Sequence, residues 1–278
     1  MSGRWSIPAQ GMAARPGVRD DAGVSVTEPV RTPFGAALRR RRLARGWSQL
    51  ELSLSSRTTS RHVSFLETGR SRPSPDMVAR LTAALELPLR ERNVLFRAAG
   101  LAPVYPESSL ESDDLTAFRA VIDRMLQSHE PFPAYAVDGH WNIVRTNAAA
   151  EVFLAATGER NAIRLTYDGP WRDLIDNWDD IAWVGLARLQ ADATRLPHDE
   201  VLAELVDLAT RAVGDLPRPT AGGSGPVLCP NFRIGTDLVR TVSVVAQFGS
   251  PLDVTLDELR IELIYPADDD ARRFFEGG

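Results

Sequence analysis

The chain of 278 residues has no lysine: all 32 basic residues are arginine. The codon usage of a GC-rich genome explains this more simply than selection for guanidinium chemistry. It has one cysteine, Cys229, which excludes an internal disulfide framework and any multi-cysteine zinc site. That cysteine precedes a proline in a strand-like stretch, so a buried structural thiol is expected. No apolar run approaches the ~20 residues of a membrane span. The first thirty residues hold no apolar core of signal-peptide length. A cytoplasmic protein with no membrane partner is the simplest expectation. The four histidines, His62, His129, His140 and His198, fall in different segments without metal-ligand spacing, and no metal site is expected. The acids of "DNWDD" (176–180) suit a solvated helix face, and no glycine-rich phosphate loop is present. No constellation asks for an enzyme.

What is present is a charge split. Residues 31–105 carry 14 Arg against 5 acids, whereas 106–278 carry 15 Arg against 29 acids. A small basic part joined to a larger acidic one suggests a nucleic-acid module fused to something else.

Residues 1–30 are rich in Gly, Ala, Pro and Arg and are expected to form a disordered leader. Residues 31–100 predict five short helices. Thr32 N-caps the first, with Pro33 in its first turn and Phe34, Leu38 and Leu43 inward. Ser48 and Glu51 form a capping box on the second. Thr59 caps the third and Ser74 or Pro75 opens the fourth. Leu89, Val94, Leu95 and Ala98 are the inward positions of the fifth. Residues 101–114 are expected to be a linker and 115–278 a second domain. There Asp138-Gly139 signals a hairpin between strands near 134–138 and 141–146. A strong amphipathic helix is predicted over 171–196. A loop at 214–226 and three strands follow, for five strands in all.

Two helices joined by "SSRTT" have the geometry of a helix-turn-helix, with the helix at 60–67 in the major groove. The stretch "WSQLELSLSSRTTSRHVSFLETGRSRPS" followed by "VARLTAALEL" resembles the XRE-type, lambda-repressor-like helix-turn-helix family. The resemblance implies that Gln49 holds a backbone phosphate and that Ser60, Arg61 and Phe65 face bases. The residues agree independently: at ~100° per residue, Thr59, Val63 and Leu66 share one face. Arg61, Phe65 and Thr68 lie opposite, with Ser64 beside them and His62 flanking. Arg61 can donate twice to guanine and Phe65 can touch a thymine methyl. A phosphate contact for Arg61 and plain packing for Phe65 are the alternatives. Arg39, Arg40, Arg41, Arg42, Arg70 and Arg72 are expected to neutralise phosphates, a solvated face being the alternative for the four-Arg run. Glu67 fixes structure more naturally than it meets DNA. The sequence departs from the family at Arg57, in the turn position that glycine usually holds. The partner implied is a double-stranded DNA operator, bound as a homodimer on a palindrome.

The segments "PFPAYAVDGHWNIVRTNAAAEVF" and "PNFRIGTDLVRTVSVVAQF…LDELRIELIYPAD" resemble the MmyB-like transcription regulators. That resemblance implies a PAS-like α+β domain: a five-stranded antiparallel sheet with helices on one face, enclosing a pocket. For some members it implies a fatty-acid-type ligand, so a small apolar ligand is the expected second partner. The PAS-type flavin-adduct cysteine motif is absent and no histidine suits a haem, so no cofactor is expected. Strand phase places Phe232, Val242, Val244, Phe248 and Leu263 on inward faces. Trp141, Ile143 and Trp178 join them as candidate pocket residues, plain core being the alternative. Arg240 is the candidate for an acidic headgroup, unless it pairs with a nearby acid or solvent. A domain that only dimerises or docks a protein is a second reading, and a DNA-tethered enzyme a third.

Overall fold

The computed structural model describes residues 32–155, 157–214, 216–217 and 229–277. The expected leader lies outside them, as does most of the expected loop at 214–226.

The N-terminal unit is α1 (Pro33–Ala44), α2 (Gln49–Ser55), α3 (Ser60–Glu67), α4 (Pro75–Ala84) and α5 (Leu89–Ala98). The first four helices start where short oxygen-bearing side chains can accept from otherwise unpaired backbone N–H groups. Thr32, Thr59 and Ser74 each do so, and Ser48 with Glu51 completes the capping box. Phe34, Leu38, Leu52, Val63, Leu66, Val78, Leu81 and Leu95 form one core. Leu43 does not join it: the side chain is 53% exposed. Arg41 and Arg42 take that inward stripe instead, and both are buried.

The second unit contains α6 (Thr116–Ser128), β1 (Ala134–Val137), β2 (Ile143–Thr146), α7 (Ala148–Ala155), α8 (Ala162–Tyr167), α9 (Trp171–Leu174), α10 (Trp178–Arg195) and α11 (Glu200–Val213). It continues with β3 (Asn231–Ile234), β4 (Asp237–Ala246), α12 (Val254–Glu258), β5 (Arg260–Pro266) and α13 (Asp269–Glu276). The strands form one antiparallel sheet in the order β2-β1-β5-β4-β3.

Three local expectations change. The helix foreseen over 171–196 is broken at Ile175, whose backbone is extended and bridges to Phe232 of the edge strand β3. The Asp138-Gly139 turn is wider than a two-residue hairpin. Asp138 N donates to Asn142 O, Asp138 Oδ1 accepts from the backbone of His140 and Asn142, and Trp141 is left-handed at φ 65°. Helices cover both sheet faces, not one. Ile122 and Leu126 of α6 pack on Ala134, Ala136 and Ile261, while α8, α10 and α11 build a separate core on the opposite side.

The two units are tied together. Asn93 of α5 holds the backbone of Val104 and Tyr105, and Val254 N donates to Pro106 O. Arg90 of α5 forms a two-pronged bond to Glu258 at 2.7 and 2.9 Å, with Glu107 at 2.6 Å. These carboxylates raise the pKa of its guanidinium further, Glu258 most. The adjacent Asp257 accepts from Leu89 N at the start of α5.

Candidate nucleic-acid interface and candidate ligand pocket

The expected recognition helix, α3, is held from below by Glu67. Its carboxylate accepts from Arg42 Nε at 2.7 Å, Arg42 Nη2 at 2.9 Å and Gln49 Nε2 at 2.8 Å. Arg42 also donates to Trp47 O at 2.6 Å. This corrects the expectation for Arg42: a buried guanidinium engaged on three sides cannot serve as a phosphate clamp. Arg41 is likewise withdrawn, bonding Glu91 through Nε at 2.7 Å. The four-Arg run is therefore not one electrostatic face, since Arg39 is half-buried and Arg40 exposed on the other side of the helix. Gln49 stays near the surface at the start of α2, with one amide N–H committed to Glu67.

The outer side of α3 presents Ser60 and Arg61 exposed, with His62, Ser64 and Phe65 half-buried. Thr59 is exposed, but its hydroxyl accepts from His62 N, so it serves the helix start. Phe65 is neither loose nor in the core. Arg61 and Arg70 lie over its ring, 5.2 and 6.0 Å from the centroid, within cation–π range. The ring therefore orders two exposed guanidiniums on the outer side of α3. Arg72 is exposed just beyond. Sequence spacing could place Arg61 and Phe65 on one face; Arg70 lies past the helix end, and only the turn brings it back.

The turn between α2 and α3 carries strain. Arg57 sits at φ 53°, where a Cβ crowds the following carbonyl oxygen. Arg57→Gly is expected to raise stability by about 1 kcal/mol in urea denaturation. No gain would mean that the Arg57 side chain offsets its own strain.

The second candidate site is a cavity of about 190 Å³ between the sheet and its helical cover. Tyr135, Phe232, Ser243, Glu262 and Ile264 line it from the sheet, Ala150, Phe153 and Leu154 from α7, and Ile163 and Tyr167 from α8. Trp171 of α9 and Ile181, Val184 and Arg188 of α10 close it, and Trp141 contributes from the turn.

Of the nine expected pocket residues, Trp141 and Phe232 line the cavity. Ile143 and Trp178 are core, the latter with its indole N–H on Thr166 O. The phase expected for β4 and β5 is reversed. Ser243 pairs with Ile264 across the ladder, and both line the cavity; Val244 pairs with Leu263 on the other face. Leu263 and Phe248 pack against the α6 cluster, and Val242 and Val244 are 41% and 45% exposed. Arg240 shares that outward phase and pairs with Asp268 at 3.2 Å. The reason is physical: α6 covers the more apolar face of these strands, so the cavity meets the face that bears Ser243 and Glu262.

Cys229 is buried, and its sulfur accepts from Ser243 N at 3.2 Å. Among the described residues, no group of three His, Cys, Asp or Glu is placed to hold a metal ion. No described helix is long and apolar enough to cross a membrane.

A family model described as the MmyB-like transcription regulator ligand binding domain matches residues 118–276, and a helix-turn-helix model matches residues 38–92. Among solved structures, the clp gene regulator ClgR from Corynebacterium glutamicum is similar in two crystal structures. One is 37% identical, covering 25% of this chain and 88% of that one, with a TM-score of 0.22. The other is 32% identical, covering 37% and 98%, with a TM-score of 0.23. No curated protein matches.

Proposed function

The chain belongs to the family of MmyB-like transcription regulators, with a helix-turn-helix ahead of the ligand-binding domain, and we propose that it is a one-component regulator that reads an operator through α3 and senses a compact, largely apolar molecule in the cavity. The observation that carries this reading is the outer side of α3, where Arg61 and Arg70 flank one aromatic ring. Arg61 offers guanine two donors, and the Phe65 ring offers apolar contact to a thymine methyl. Ser60, Ser64 and His62 supply polar contacts, and Arg39, Arg70, Arg72 and Gln49 meet phosphates. The cavity is smaller than the ~300–1,000 Å³ usual for drug-sized ligands, which favours a compact ligand.

Control passes from cavity to DNA through contacts already in place. Arg260, at the start of β5, pairs with Asp192 of α10 at 2.6 Å and lies over the ring of Trp141. The residues just before it, Asp257 and Glu258, grip α5. A ligand that shifts α10 or Trp141 thus acts on the helix-turn-helix, provided that it binds one arrangement better than the other. The protein works as a cytoplasmic homodimer and not as an enzyme. The sheet face bearing α6 suits the dimer contact, since Phe118, Val121, Val242, Val244 and Tyr265 are all 40% exposed or more.

Selection of bound DNA from a random pool by the full chain tests the reading. One enriched palindrome is expected, with affinity falling steeply as salt rises. Arg61→Ala should relax base choice by ~1–3 kcal/mol at one position. Phe65→Ala should do the same more broadly, because it also releases Arg61 and Arg70. Failure to enrich any motif would remove the operator-binding claim.

A further inference from the structure

One wall of the cavity is polar. Glu262 lines it and is only 4% exposed. Glu262 Oε2 accepts from the Ser243 hydroxyl at 3.1 Å. Oε1 lies 2.8 Å from Arg188 Nη2. That is close enough for an ion pair but off the hydrogen-bonding direction, which leaves Oε1 without a hydrogen-bond donor. Tyr135 faces the same side, directly across the ladder from Glu262. Burial, and then the negative charge of Glu262, push its phenol pKa up, so its hydroxyl stays protonated. The indole N–H groups of Trp141 and Trp171, two further lining residues, are buried without an acceptor.

Charge decides what such a wall accepts. The guanidinium of Arg188 is already matched by Glu262. A ligand carboxylate would bring a second negative charge beside a buried first one, and like charges in a poorly solvated site disfavour ionisation or entry. A neutral end group bearing O–H or N–H can instead donate to the vacant position on Glu262 Oε1. Its oxygen can accept from Tyr135 or from an indole. Resting on the cavity being a ligand site, we propose that the pocket selects a compact apolar molecule ended by an alcohol or a primary amide over a carboxylate of the same length.

The test is calorimetric titration of the full chain at neutral pH with 1-octanol, octanamide and octanoate, in the wild type and in Glu262→Gln. The neutral probes should bind at least about tenfold more tightly than octanoate, because opposed like charges strongly suppress wrong partners. Glu262→Gln keeps the side-chain shape and frees Arg188. Octanoate should then gain about tenfold, and the preference should shrink or reverse. Octanoate binding as tightly as the neutral probes to the wild type would overturn the end-group assignment while leaving the ligand site intact. A preference unchanged in a folded Glu262→Gln protein would overturn it too. Failure of all three probes with folded wild-type protein would overturn the ligand-site reading itself. The wild-type ranking decides the end group even if the variant does not fold.

Discussion

Glu67→Ala is expected to lower the stability of the helix-turn-helix unit by about 3–5 kcal/mol, the cost of leaving a buried charge without its partner. Arg42 is 6% exposed and Glu67 3% exposed, so water cannot replace the lost carboxylate. Three donors lose their acceptor at once, two from Arg42 and one from Gln49. Against a total of ~5–15 kcal/mol for a domain, this is a large share. Urea denaturation of the full chain measures it. The double substitution Arg42→Met with Glu67→Leu separates two explanations. Removing both charges together should be close to neutral, or even stabilising, because the pair contributes more to the placement of α2 and α3 than to net stability. The same double variant should still bind operator DNA less well, since Gln49 loses the carboxylate that orients it. A loss below ~1 kcal/mol for Glu67→Ala, the range of surface pairs, would show that the pair is hydrated in solution.

Gly35→Ala should destabilise the protein although alanine is the better helix former. Propensity alone predicts a gain of about 1 kcal/mol from replacing glycine within α1. Packing predicts the opposite. A Cβ at position 35 would lie 2.6 Å from the carbonyl oxygens of both Leu66 and Glu67, and these are backbone atoms that cannot rotate away. Overpacking of this kind costs ~1–3 kcal/mol, so the net sign is a loss. The obstruction falls at the end of α3, and a shift of that end moves Phe65 and Arg70 with it. Operator affinity should therefore fall more than stability does. Thermal denaturation and a DNA titration on the same sample check both halves. A stabilised variant with unchanged affinity would mean that α1 and α3 separate at no cost.

Both predictions rest on contacts that the sequence does not display. Glycine 35 looks like any residue of a first helical turn, and its role depends on a helix about thirty positions later. Arg42 sits in a run of four identical residues, where nothing local separates the buried from the exposed. The helix phase hints at it, since position 42 follows Phe34 and Leu38 at intervals of four. A guanidinium on an inward stripe needs a buried acid, and Glu67 supplies it. The inward position of Glu262 is less legible in the sequence. On β5 the apolar set Ile261, Leu263 and Tyr265 alternates with Arg260, Glu262 and Ile264, so polarity alone assigns the first set to the interior. That rule holds for a sheet with one covered face. Here both faces are covered.

The sequence by itself determined the elements whose causes are local. Thr32, Ser48, Thr59 and Ser74 cap their helices because a short side-chain oxygen can reach a free N–H within three residues. The five helices and five strands were legible from period and punctuation, and so was the outward side of α3; their pairing into one antiparallel sheet was implied only by the family resemblance. The tertiary structure alone decided which face of the sheet encloses the cavity, which arginines are spent on the core, and how α5 is clasped by Glu258 and Asp257. Each of these is a pairing between residues far apart in the chain. Periodicity states that a strand has two faces, but what packs on each depends on where α6 and α10 come to rest.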